Sequence, residues 1–235
     1  MNKSVKTIIR LNLKYIKGAY IALAAGIAAL SSSIILSVIF EAQGESMAGN
    51  YNVSMGWAAW ALPVTAAIII TAVHFKRITS LGGNRDNFFQ GSLISYVILA
   101  AISSLIGLII YYAFDLPYIA LGRYGGVITV PEVFGWGVHG PVVFFLQQFA
   151  FLFLTAAFTH TFCSAQGKWY GWASFIGALV VLCVFLPIEP LRNIVIGYAY
   201  LIMFMPIVPL QILACLAIGL GFYWLNKPIY ARKTI

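Results

Sequence analysis

Three histidines and six acids occur in 235 residues, and with serine and cysteine they are the groups from which membrane-embedded catalysis or ion transfer would be built. His74 and His160 fall near the ends of apolar stretches and His139 in a polar connection, so they cannot supply the paired spacing of a zinc hydrolase and are expected at membrane interfaces. Ser31, Ser32, Ser33, Ser103 and Ser104 lie within apolar runs, with no His or Asp at comparable depth to act as a base. Cys163, Cys183 and Cys215 lie in or beside apolar segments without CxxC spacing, a packing pattern rather than a metal or disulfide one. No acid or base falls inside the core of an apolar stretch, where it would point to an ion path or proton relay. The expectation is a chain with no catalytic residue, no metal site and no cofactor of its own, and hence not an enzyme.

Uncharged polarity is what remains at depth: Gln147 and Gln148 in the fourth apolar stretch and Gln211 in the last. Adjacent residues on a helix point about 100° apart, so one glutamine can face a neighbouring helix while the other faces a pathway. Interhelical hydrogen bonding is the plainer reading. Phe144, Phe145, Phe149, Phe151 and Phe153 share that stretch, and such a face contacts lipid or suits a hydrophobic or amphipathic cargo better than an ion. Gln147, Gln148, Phe144 and Gln211 are the pathway candidates.

The elements that position these groups follow from composition. Hydrophobic residues are 62% and charged residues 9% of the chain, more apolar surface than a water-soluble fold can bury. Six stretches are long enough to cross a hydrocarbon core of about 30 Å as helices: residues 19–40, 57–75, 91–114, 141–163, 172–188 and 207–225. The expected fold is an all-α integral membrane protein, with residues 1–18 an amphipathic interfacial helix and 19–235 one six-helix transmembrane domain. The N-terminal segment is too long and charged to read as a cleaved signal peptide, so the first helix is expected to stay. Small residues, Gly26, Gly107, Gly177, Gly219 and Gly221 among them, are expected to let helices approach closely. The segment 115–140 is the longest connection and, being rich in aromatics, is expected at the interface or folded back. Pro206 and Pro209 interrupt a run too long for one untilted span, which predicts a short outer re-entrant piece before the last helix.

Charge sets the expected orientation. Lys3, Lys6, Arg10, Lys14 and Lys17 lie three or four residues apart, on one helical face, with Val5, Ile8, Ile9, Tyr15 and Ile16 on the other; such a helix suits an anionic membrane surface. With the N-terminus inside, twelve of the fourteen basic residues lie in inner segments, and only Arg123 and Arg192 lie outside. Glu41, Glu45, Asp115, Glu132 and Glu189 are then outer and Asp86 alone is inner. This positive-inside bias predicts both termini in the cytoplasm and a plasma-membrane location, and membrane lipid rather than nucleic acid accounts for the formal net charge of +8.

One inner connection, residues 76–91, reads KRITSLGGNRDNFFQG. Its Leu-Gly-Gly-Asn break precedes a stretch that can form a short helix across the membrane surface, capped by Asn84, with Phe88 and Phe89 as an apolar knob for a groove on a partner protein. A plain connector is the alternative.

This order, a basic amphipathic helix, two spans, then LGGNRDNFFQGSLIS leading into a third span, resembles the permease subunits of bacterial type-2 ABC exporters, including those that export peptides and toxins. Leu81, Gly82, Arg85, Asp86, Phe88, Phe89 and Gly91 occupy the places of the family's coupling helix, which docks in a cleft of an ATP-binding subunit. Asp86 departs from the second basic residue frequent there. The resemblance implies a cytosolic ATP-binding cassette subunit as partner, with ATP and Mg on that subunit, since no GxxxxGK[ST] pattern occurs here. It also implies a second permease chain, identical or related, and a pathway for a hydrophobic or amphipathic cargo, a peptide first and a lipid or drug second. The alternatives are a small-molecule-binding membrane subunit of an importer and an intramembrane lipid-handling enzyme, the latter requiring paired acids or histidines at one depth.

Overall fold

The computed structural model describes residues 3–43, 51–121, 126–166 and 169–232; Glu45, Arg123, Lys168 and Lys233 of the charge pattern lie outside them. Among the described residues five helices are long and apolar enough to cross a membrane, or six if one bent pair forms a single span. The chain is a membrane-embedded helical protein.

Helix α1 (Lys3–Lys14) leads into α2 (Lys17–Ala42), which is apolar on every side and meets its neighbours at Gly18, Gly26 and Ser37. A Cβ on Gly26 would lie 3.0 Å from the Ala58 Cβ. Helix α3 (Met55–Ser80) and helix α4 (Arg85–Ala120) follow. Ser54 caps α3, its Oγ accepting from Gly56 N at 2.9 Å. At 36 residues, α4 is roughly 54 Å long, well beyond the hydrocarbon thickness.

Outside the bundle ends, β1 (Tyr51–Val53) pairs in parallel with β2 (Gly126–Ile128), Tyr51 opposite Gly126 and Val53 opposite Ile128. Helix α5 (Val130–Phe134) and a tight turn at Trp136–His139 fold back onto the bundle, as the aromatic content of this connection predicts. Phe134 stacks on Trp60 at 5.7 Å, and the Trp136 Nε1–H donates to Met203 O at 2.9 Å. Helix α6 (Pro141–Ala165) is central, packing against α3, α4 and the last long helix.

Helices α7 (Gly171–Phe185) and α8 (Glu189–Phe204) meet at 119°. Pro187 and Pro190 stand at the break, where the missing N–H groups stop one helix and suit the first turn of the next. The predicted fifth span is therefore the first arm of a bent pair, and the predicted re-entrant piece is its second arm. Helix α9 (Val208–Trp224) and α10 (Asn226–Arg232) complete the fold. Gly219 lets α9 sit against α6, where a Cβ would come 3.1 Å from the Phe153 ring and 3.2 Å from Leu154 Cα. Gly107 likewise takes a close contact, whereas Gly177 and Gly221 have nothing within 4 Å of a Cβ.

Two aromatic clusters fill the interior. One joins Phe75, Phe88, Tyr96, Leu152 and Tyr223; the other, nearer the β1–β2 end, joins Val130, Trp136, Phe144 and Phe151. The phenylalanines of α6, expected on a face that contacts lipid or a hydrophobic cargo, do not form one such face: Phe144, Phe151 and Phe153 are buried in protein, and Phe145 and Phe149 are half-buried.

Candidate functional site

The turn between α3 and α4 is built by its glycines. Gly82 has φ +75°, its N–H donates to Thr79 O at 3.1 Å and that of Gly83 to Ile78 O at 2.9 Å, the paired bonds that close a helix through a left-handed residue. A Cβ on Gly83 would lie 2.5 Å from Ile78 Cγ2, so the second glycine is required by close approach. Asn84 then caps α4, its Oδ1 accepting from Asp86 N at 2.8 Å. The expected cap is present, but the helix it starts is the third span itself rather than a separate helix across the surface.

Phe88 and Phe89 do not form the expected knob. Phe88 is 0% exposed and meets Phe75 edge-on at 5.3 Å. Phe89 is half-buried, its ring 4.5 Å from Tyr223, and Phe89 O accepts from the Tyr223 hydroxyl at 2.6 Å. The reason is register: the helix continues through both residues, and three, four and seven residues after Phe88, Gly91, Ser92 and Ser95 are buried on the same side. Of the other turn residues Leu81, Gly82 and Asp86 are exposed and Arg85 is half-buried, Leu81 at 81%. Leu81 and Gly82 border a groove of about 590 Å³ between α1 and the turn, lined also by Lys3, Thr7, Asn84 and Asn87.

Helix α1 shares this face. Lys3, Lys6, Arg10, Lys14 and Lys17 are all exposed, while Val5, Ile8, Ile9 and Asn12 are buried. Tyr15, assigned to the apolar face, is 48% exposed, because the helix ends at Lys14. The apolar face is covered by protein, with Ile8 against Gly91: a Cβ there would lie 2.6 Å from Ile8 Cγ2. Asn12 locks the contact. His74 Nδ1–H donates to Asn12 Oδ1 at 3.0 Å, Asn12 Nδ2 donates to Ser95 Oγ at 3.2 Å, and Ser95 Oγ donates to Gly91 O at 2.8 Å.

The two inner histidines are both buried in protein. His160 is fully buried, its Nδ1 2.6 Å from the Tyr96 hydroxyl and 2.7 Å from that of Thr71, with the Tyr223 ring stacked at 5.0 Å. Helices α3, α4, α6 and α9 meet at this point. Thr71 and His74 both lie in one wide helical turn, Ile70–His74, of the kind that shifts the register of side chains along a helix. Asp115, expected in an outer loop, lies in a second such turn, Tyr111–Asp115. It is 2% exposed and its Oδ2 accepts from Ser54 Oγ at 2.5 Å. The apolar run ends at this charged residue, which places it in a loop by sequence, whereas α4 runs on to Ala120.

No protein-family model, curated protein or solved structure matches the chain.

The pathway candidates divide. Gln147 Nε2 donates to Gln211 Oε1 at 2.6 Å, and Gln211 Nε2 donates to Ile202 O and Met203 O, both at 3.1 Å. These two glutamines tie α6, α8 and α9 together, the interhelical bond anticipated for such residues. Phe144 packs edge-on against Tyr111 at 5.7 Å. Gln148 faces the other way, onto Gly107 of α4. Among the described residues no group of three His, Cys, Asp or Glu can hold a metal ion.

Asn12 carries a stability test. Asn12→Ala removes a buried hydrogen-bond partner from both His74 and Ser95, and the chain is expected to lose about 1–3 kcal/mol in denaturant unfolding in detergent. In a double-mutant cycle His74→Ala should add less than its separate cost; full additivity would mean the two do not interact.

Proposed function

We propose that this chain is the transmembrane permease subunit of an ATP-driven exporter, with ATP hydrolysed on a separate cytosolic subunit that carries the ATP and Mg. The observation that carries this reading is the Leu81–Asn84 turn: exposed, closed by its own backbone, and continuous with α4. A partner pressing on this turn moves α4 as a rigid rod, and because Phe88 and Phe89 are wedged against Phe75 and Tyr223, α3 and α9 must follow. The partner contact is made by Leu81, Gly82 and Asp86 and by the groove beside α1, with Arg85 at its edge; Phe88 and Phe89 transmit force inside the bundle. Coupling requires that the two nucleotide states of the partner bind this surface with different affinity.

In this reading α1, the turn and both termini face the cytoplasm, and the basic face of α1 meets anionic lipid of the plasma membrane. A second permease chain, identical or related, completes a pathway for a hydrophobic or amphipathic cargo, a peptide first. Leu81 is the residue to test, since it is exposed and its replacement leaves the interior untouched. The tagged chain, co-expressed with its neighbouring reading frames and extracted in mild detergent, should retain a vanadate-sensitive ATPase. Leu81→Asp should reduce retention about tenfold, a loss of about 1.4 kcal/mol, with unchanged thermal stability. Absence of ATPase from the unaltered chain, or equal retention by the variant, rejects the reading.

A further inference from the structure

The seam between α4 and α6 contains polar atoms that the fold does not satisfy. On α4, Ala100, Ser103, Ser104 and Gly107 are buried and share one helical face, and the last two meet α6: Ser104 Oγ donates to Phe145 O at 2.7 Å, and a Cβ on Gly107 would come 2.5 Å from Gln148 Nε2 and 2.8 Å from its Oε1. Ser103 lies one turn before Gly107 on the same helical face. Gln148 is 0% exposed, yet neither its Nε2 nor its Oε1 has a hydrogen-bond partner, and Ser103 Oγ has none either. A stripe of small residues alone is an ordinary packing surface. Here an unpartnered amide points straight at it.

An amide offers donors and an acceptor together, and a hydroxyl does the same; both are neutral. Buried groups of this kind are almost always paired, with protein or with ordered water. We propose that Gln148 and Ser103 form a mid-bundle binding position for a neutral group that both donates and accepts hydrogen bonds, reached when α4 and α6 part. Two sources share that chemistry: water, and the backbone amide of an apolar peptide. A metal cation is a poor match because the amide N–H groups point into the same space. The seam belongs to α4, the helix that begins at the Leu81–Asn84 turn, so displacement of the turn acts on it directly. Only the peptide source rests on the permease reading; the water source does not, and ATPase retention is scored independently of both.

The test measures solvent access in lipid nanodiscs. Ser103→Cys is treated with a charged methanethiosulfonate, which reacts with thiolate in water, and modification is read by peptide mapping so that Cys163, Cys183 and Cys215 stay in place. Leu99→Cys, at a buried apolar position, is the dry control, and Ile102→Cys, on the exposed face, is the lipid-facing one. Position 103 should react about tenfold faster than either, and Gln148→Leu should bring it down to the Leu99 rate. An acetylated, amidated apolar tripeptide should protect position 103, whereas its ester analogue lacking the central N–H should not. Protection by the amide alone identifies the peptide source; fast reaction with no protection by either identifies water, and both sustain the proposal. Equal rates at positions 103 and 99, or a rate at 103 indifferent to Gln148→Leu, overturns it.

Discussion

Phe88→Ala is expected to destabilise the chain by about 3–5 kcal/mol, the largest effect of any single substitution in the inner turn. The ring is fully buried, and it fills the corner where α3 returns into α4, edge-on to Phe75 and in one cluster with Tyr96, Leu99 and Tyr223. Removing it opens a cavity whose lining loses its dispersion contacts outright. Phe75 and Tyr223 are fixed by their own helices and have little freedom to collapse into the space. Thermal or denaturant unfolding in detergent measures the loss, and a loss below about 1 kcal/mol would place Phe88 at the surface. The result also governs how transport data on this turn are read. Loss of transport in a Phe88 variant reports damage to the bundle, whereas loss in a Leu81 variant reports the surface alone.

Gly91→Leu is expected to detach α1 from the bundle. A single Cβ at position 91 would already lie 2.6 Å from Ile8 Cγ2 and 3.0 Å from Ile8 Cβ, so a leucine has no place unless α1 moves away. Overpacking of this kind costs about 1–3 kcal/mol. The Asn12 bonds to His74 and Ser95 break in the same step. Spin labels on Lys6→Cys and Asn87→Cys should lie at one narrow distance in the unaltered chain and at a longer, broader distribution in the variant, and limited proteolysis should cut within residues 3–16. An unchanged distance distribution would mean that α1 is held by something other than its contact with Gly91. The two substitutions separate two tasks of one interior: Phe88 holds α3, α4 and α9 together, and Gly91 gives α1 its seat.

Much of this architecture was legible in the residues. Long apolar runs cannot be buried by a water-soluble fold, so they announce membrane-crossing helices, and Pro206 and Pro209 announce where one helix gives way to the next. The Gly82-Gly83-Asn84 order announces a closed helix end and a new cap because each step needs a particular backbone: a positive φ, a missing Cβ, a side-chain acceptor. The basic face of α1 follows from residue spacing alone. What the residues leave open is which way a helix turns within the bundle. Apolar side chains are acceptable both to lipid and to protein, so hydrophobicity does not distinguish the buried Phe88 from an exposed knob, or the buried Phe144 from a lipid-facing ring. Register decided those, and register is set by contacts distant in sequence: Ile8 on Gly91, Tyr223 on Phe89, Asn12 between His74 and Ser95. The same holds for the glutamines. Sequence placed Gln147 and Gln148 at one depth, about 100° apart; only the packing of α9 and α4 on different faces of α6 gave one a partner in Gln211 and left the other facing Gly107 with its amide unpaired.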